Sequence, residues 1–139
     1  MPEAKSITRK KLLVVEGKDA ARFFTALLRH MQIDSIQIQD FGGKDEIHRF
    51  IKALKRTPGF NVVTALGIVR DADDDPTAAF QSVCSALQNA QLPVPPAPEQ
   101  PTTGHPKTKV LIMPDASSHG MLETACMNAV ADDPVMPCI

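Results

Sequence analysis

Asp71, Asp73, Asp74 and Asp75 place four carboxylates within five positions, one residue (Arg70) after the apolar run Leu66-Gly67-Ile68-Val69 and directly before Pro76. A run of that kind reads as a strand, and a proline after an acidic turn reads as the opening of a helix. The acids then stand at the carboxyl end of a strand, the edge at which open α/β sheets bind ligands. Residues two apart on extended backbone project the same way at about 7 Å separation. Asp71 and Asp73 can therefore converge on one hard cation such as Mg²⁺, with Asp75 following them. Carboxylates this close repel one another, and a cation or a set of backbone donors relieves the repulsion. A solvated turn in which Asp caps a helix N-terminus has the same spacing and stays open as a reading. An EF-hand loop is a weaker match, because its sixth and twelfth positions need Gly and Glu; here they are Pro76 and Ser82.

The elements that must position these acids are legible from periodicity. Lys11 to Gly17 reads as a buried strand ending at Glu16 and Gly17, with Asp19 as a helix N-cap. Ala20, Phe23, Phe24, Leu27, Leu28 and Met31 then recur at the spacing of one helical face, which is expected to be core. Ser35 to Phe41 predicts a second strand, Gly42-Gly43-Lys44 a turn, and Ile47, Phe50, Ile51 and Leu54 the stripe of a second helix that Thr57-Pro58-Gly59 ends. Asn61 to Val69 predicts the third strand, and Phe80, Val83, Cys84 and Leu87 the stripe of a third helix. Six prolines between Pro93 and Pro106 predict an extended or mobile loop over residues 92–108 without secondary structure. Lys109 to Met113 reads as a fourth strand, and Gly120-Met121-Leu122-Glu123 leads into a last helix with Leu122, Cys126, Ala129 and Val130 on one face. Strands alternating with helices imply parallel pairing and right-handed crossovers, hence a three-layer α/β domain with a mainly parallel four-stranded sheet.

In that arrangement Glu16, Asp71 with Asp73, and Asp115 reach one sheet edge from three separate strands, and Glu123 opens the helix beyond. Such a cluster calls for one or two divalent cations, Mg²⁺ or Mn²⁺. Lys44 stands at the same edge, as a phosphate contact or as a solvated turn lysine; Gly42-Gly43-Lys44 lacks the frame of a P-loop. His119 reads as a loop histidine beside Gly120, and His30 as a helix C-terminal residue facing the dipole.

At 139 residues the chain is one domain's worth, and its net charge of −1 gives no overall polyanion-binding signature. Local basic clusters do occur: Lys5, Arg9, Lys10, Lys11 and Lys18, then Lys44, Arg49, Lys52, Lys55 and Arg56. Cys84, Cys126 and Cys138 form no C-x-x-C pair and read as reduced residues of a cytoplasmic protein. No apolar run approaches a membrane span, and the absence of Trp and Tyr argues against a base-stacking platform. The apolar ending Pro134 to Ile139 reads as a truncated terminus or as a tail that packs against something.

Val14-Val15-Glu16-Gly17-Lys18-Asp19-Ala20 and Arg70-Asp71-Ala72-Asp73-Asp74-Asp75 resemble the two signature motifs of the Toprim domain. That module is shared by bacterial primases, type IA and type II topoisomerases, OLD-family nucleases and small ribonucleases of RNA maturation. The resemblance covers essentially the whole chain, and Gly120 to Glu123 resembles a motif of stand-alone Toprim-related proteins. It implies a Rossmann-like Toprim fold in which Asp71 and Asp73 hold Mg²⁺ and Glu16 acts as general acid/base or as a further ligand. Asp75 matches a third acid of topoisomerase versions, although Pro76 stands where a glycine is usual. Asp115 and Glu123 resemble the extra acids of OLD-type nucleases, which implies two-metal hydrolysis. The chain has no tyrosine for topoisomerase transesterification. The expectation is a Mg²⁺-dependent phosphoryl-transfer domain, a nuclease-like hydrolase of DNA or RNA, alone, as a homo-oligomer or with a partner protein. The alternatives are a metal-dependent nucleic-acid or nucleotide binding module that does not cleave, and a small-molecule phosphatase. Haloacid-dehalogenase-like phosphatases carry their paired acids after the first strand, whereas these follow the third.

Overall fold

In the computed structural model, which describes residues 6–72 and 75–113, strands and helices alternate as the periodicity predicts. The elements are β1 (Lys11–Val15), α1 (Gly17–His30), β2 (Ile36–Asp40), α2 (Ile47–Lys55), β3 (Ala65–Asp71), α3 (Pro76–Asn89) and β4 (Lys107–Met113), with a 3₁₀ turn over Phe60–Val62. All three strand pairings are parallel and the order is β2-β1-β3-β4. The chain thus steps from β1 outward to β2, then returns past β1 to lay down β3. That reversal opens a crevice between the carboxyl ends of β1 and β3.

One face of the sheet is sealed. Leu12, Val14, Leu66, Ile68, Val110 and Ile112 pack there with Ile47, Phe50, Ile51 and Leu54 of α2 and with Ala79, Val83, Ala86 and Leu87 of α3. Each large side chain buried this way contributes about 1.5–3 kcal/mol by leaving water. Among the described residues the other face is thinner. Its cluster centres on Val15, Ala20 and Val69, with Leu13, Phe24, Ile38, Leu111 and Met113 partly buried around them.

Several boundaries and faces differ from the sequence-based expectation. Helix α1 begins at Gly17, with Glu16 as its N-cap residue, and Asp19 lies within the first turn. Of its apolar stripe only Ala20 is buried; Phe23, Phe24, Leu27 and Leu28 are half-buried and Met31 is exposed. The third strand starts at Ala65, because Gly59, in the left-handed region with φ +95°, starts a 3₁₀ turn that sinks Phe60 into the core, with Val63 buried just after it. In α3 the small residues Ala79 and Ala86 face the core with Val83 and Leu87, while Phe80 and Cys84 are only half-buried.

The proline-rich segment has no regular secondary structure, yet it is anchored. Glu99 N–H donates to Val110 O at 2.8 Å and Thr102 N–H donates to Thr108 O at 2.9 Å, so it runs along the outer side of β4. Leu92, Pro95, Thr102 and Pro106 are buried. Prolines laid against a sheet edge block further pairing there. The expected last helix, with Leu122, Cys126, Ala129 and Val130, lies outside the described residues, as do Lys5, His119 and Cys138. Among the described residues no helix is long and apolar enough to cross a membrane.

Candidate functional site

Glu16 and Asp71, placed at the same edge by the sequence, meet at the β1/β3 crevice. Strand β1 ends at Val15, which pairs with Val69, so Glu16 stands level with the last residues of β3. Asp71 is itself still within the sheet, opposite Met113 of β4, and Ala72 N–H extends that ladder to Met113 O at 2.9 Å. The Glu16 carboxylate accepts the Asp71 N–H through Oε1 at 3.1 Å. Two acids from different strands are thereby fixed on rigid backbone, Glu16 being also at the N-terminus of α1, where the helix dipole favours negative charge.

Beneath this pair lies Arg70, whose neighbours in sequence gave no hint of burial. Residues alternate across a strand, so Arg70 projects to the sealed face while Asp71 projects to the other. Arg70 is 7% exposed. Its Nη1 donates to Ala79 O in the first turns of α3 at 3.2 Å. Its Nε stands 3.9 Å from Glu16 Oε1, within ion-pair range but with no hydrogen bond. Among the described residues only two buried side-chain polar atoms lack a hydrogen-bond partner, Arg70 Nε and Glu46 Oε2. Glu46 is the N-cap residue of α2. In these parallel units each helix starts at the carboxyl ends of the strands, so both atoms lie toward the acidic edge.

A second acid that sequence reasoning missed organises the neighbouring turns. Asp40, the last residue of β2, accepts through Oδ1 from Gly17 N–H at 2.9 Å and from Gly42 N–H at 2.7 Å. Both glycines have positive φ, +87° and +90°, a conformation that side-chain-bearing residues rarely adopt. Asp40 therefore ties the turn after β1 to the turn after β2 and holds the first motif in shape. The signal was an acid two residues before a glycine, the spacing of a turn in which Asp bonds the backbone ahead of it.

The remaining candidates divide. Asp75 accepts the Ala78 N–H at 3.1 Å and caps α3, with Pro76 at the first helical position. Lys44 is exposed in the turn after β2, at the acidic edge. Asp73, Asp115 and Glu123 lie outside the described residues. Among the described residues no three His, Cys, Asp or Glu side chains gather as a metal-binding group. Glu16 and Asp71 both carry hard oxygen donors of the kind Mg²⁺ or Mn²⁺ takes, and the bond between them runs through the Asp71 backbone N–H.

The basic clusters are split by the fold. Helices run from the carboxyl edge of the sheet to its amino edge, so Lys18, Lys44 and Arg49 lie near the acids. Arg9, Lys10, Lys11, Lys52, Lys55 and Arg56 lie at the opposite end, joined there by Arg29, Lys107 and Lys109. Lys55 Nζ donates to Ala90 O at 2.8 Å beyond the end of α3, and Arg9 Nε donates to Asp34 O at 2.9 Å. Two clefts open toward that basic end. One of about 640 Å³ lies between α1 and β2, and one of about 380 Å³ lies between α2 and the end of α3. Neither is lined by Glu16 or Asp71.

A family model described as a protein of unknown function, DUF3226, matches residues 10–139. The chain belongs to the DUF3226 family. The match spans β1, the acidic turn after β3 and the whole segment beyond β4, so both motifs fall within the family's own extent. No curated protein and no solved structure matches the chain.

Proposed function

We propose that this DUF3226 chain is a Mg²⁺- or Mn²⁺-dependent phosphoryl-transfer domain that hydrolyses phosphodiester bonds in nucleic acid. The observation that carries the reading is the Glu16–Asp71 hydrogen bond at the β1/β3 crevice, which joins the two motifs that resemble those of Toprim domains. Asp71 and Asp73 would hold the cation, with Asp115 and Glu123 as further oxygen donors. A bound divalent cation supplies charge neutralisation at a phosphate and a water acidic enough to act as nucleophile. The chain's own residues supply the rest: Glu16 accepts or returns a proton, Lys44 meets a phosphate oxygen, and the tie through Asp40 keeps Glu16 in register. The protein would act in the cytoplasm.

One observation favours the alternative of a module that binds without cleaving: most of the cations lie at the edge opposite the acids. Incubation of the wild type and Glu16→Gln with labelled single- and double-stranded DNA and RNA, with and without Mg²⁺ or Mn²⁺, separates the two. Hydrolysis predicts metal-dependent cleavage that Glu16→Gln abolishes while metal binding persists. Retention of intact strands by both proteins would establish the binding module instead.

A further inference from the structure

We propose that Arg70 is the resting counter-ion of Glu16 and competes with the divalent cation for it, so that metal entry draws Glu16 from the guanidinium to the ion. The inference rests on the metal-dependent reading above and adds to it a positioning residue and a built-in exchange. A guanidinium is always charged, and burying one costs several kcal/mol unless it is paired and hydrogen-bonded. Arg70 is 7% exposed, yet its Nε makes no hydrogen bond and its nearest carboxylate oxygen, Glu16 Oε1, stands at 3.9 Å. That is too long for the strong, short bond of a committed Arg–carboxylate pair, normally about 2.7–2.9 Å. The same Oε1 is held by the Asp71 N–H at 3.1 Å.

Glu16 Oε1 thus faces both a backbone donor and an imperfectly placed cation, on the threshold of the proposed ion site. Arg70 itself is fixed from the other side by Ala79 O, so it stays while Glu16 shifts. A buried polar atom left unsatisfied in an otherwise well-paired fold marks a place where function outweighs stability. Here the guanidinium faces the carboxylate without the short bond of a committed pair.

The test is a double-mutant cycle over Arg70→Met, Glu16→Gln and the double variant, with Arg70→Lys as the conservative control and far-UV circular dichroism to verify folding. Denaturant midpoints without metal read the coupling between the two side chains, and calorimetric titration with Mn²⁺ reads its effect on the ion. The expected result is non-additive stability, about tenfold tighter Mn²⁺ binding in Arg70→Met, no such gain in the Glu16→Gln background, and near-wild-type behaviour of Arg70→Lys. Additive midpoints overturn the proposal, as does an Arg70→Met effect on Mn²⁺ that persists without Glu16. A wild type that binds no Mn²⁺ while keeping the coupling overturns the metal-dependent reading as well, and leaves a structural ion pair.

Discussion

The two edges of the sheet are built by opposite rules. At the carboxyl edge, side chains bind backbone and one another across elements: Asp40 ties two positive-φ glycines, and Arg70 is buried without full hydrogen bonding. At the amino edge, cations meet helix ends as electrostatics favours. Arg29 and His30 close α1, and Lys52 and Lys55 close α2. The amino edge also holds two non-glycine residues at positive φ, Gln32 and Gln91, just past the ends of α1 and α3. The carboxyl edge holds a buried guanidinium nitrogen without a hydrogen bond beside an acid, which is the physical reason to place the site there.

This contrast is most sharply probed by removing one cation from each edge. Arg70→Met should lower unfolding stability by about 3–4 kcal/mol, because it leaves Glu16 without its buried partner. Lys55→Met should cost about 1 kcal/mol, the worth of a partly exposed bond to helix-end carbonyls. Urea denaturation measures both, and equal costs would erase the distinction.

Asp40→Ala removes an ionised acceptor from two backbone N–H groups, and should cost about 2–3 kcal/mol. It should also weaken Mn²⁺ binding by loosening the turn that follows Glu16, so calorimetry on the folded variant tells a positioning effect from a loss of stability alone.

The amino edge is open to a different test. If it anchors a nucleic-acid strand, Arg56→Gln/Lys107→Gln/Lys109→Gln should flatten the salt dependence of single-strand binding by about 2 in log–log slope, about 0.7 per phosphate contact. Fluorescence anisotropy in EDTA measures this apart from any cleavage. An unchanged slope would leave those cations as helix and strand-end charges.

The smallest effect belongs to neither edge. Burial pushes the Cys84 thiol up from its ordinary value. Its folded pKa lies above the unfolded one, so its stabilising contribution is complete below the unfolded value of about 8.5 and is lost as pH rises through the folded value. The wild type should therefore lose more stability than Cys84→Ser between neutral pH and pH values above that range, a difference read from denaturant midpoints.

Much of the fold was legible because helical and extended periods differ so strongly. The stripe Ile47, Phe50, Ile51, Leu54 is buried as its spacing predicts. Periodicity reports which face is apolar, however, and not what covers it, hence the half-exposed stripe of α1. It also overlooks alanine, so Ala79 and Ala86 join Val83 and Leu87 in the buried set of α3, with Phe80 partly buried against the same core. The long apolar run before Asp71 concealed a turn, because Phe60 and Val63 are buried from irregular backbone as effectively as from a strand. At the site, Glu16 and Asp71 were legible since a strand that ends on an acid places it at the edge. Asp40 left only the local signal of its turn with Gly42, and Arg70 left none, because its partners are a backbone carbonyl and a carboxylate from other elements, which spacing along the chain does not encode.

The decisive property is divalent-cation binding at the acidic turn after β3. Calorimetric titration with Mg²⁺ of the wild type and Asp71→Ala/Asp73→Ala, both verified as folded by circular dichroism, measures it. The expected result is saturable binding by the wild type that the double variant lacks. Equal heats for the two proteins, or no binding by the wild type at millimolar Mg²⁺, would contradict it and leave the acids as a capped and solvated turn.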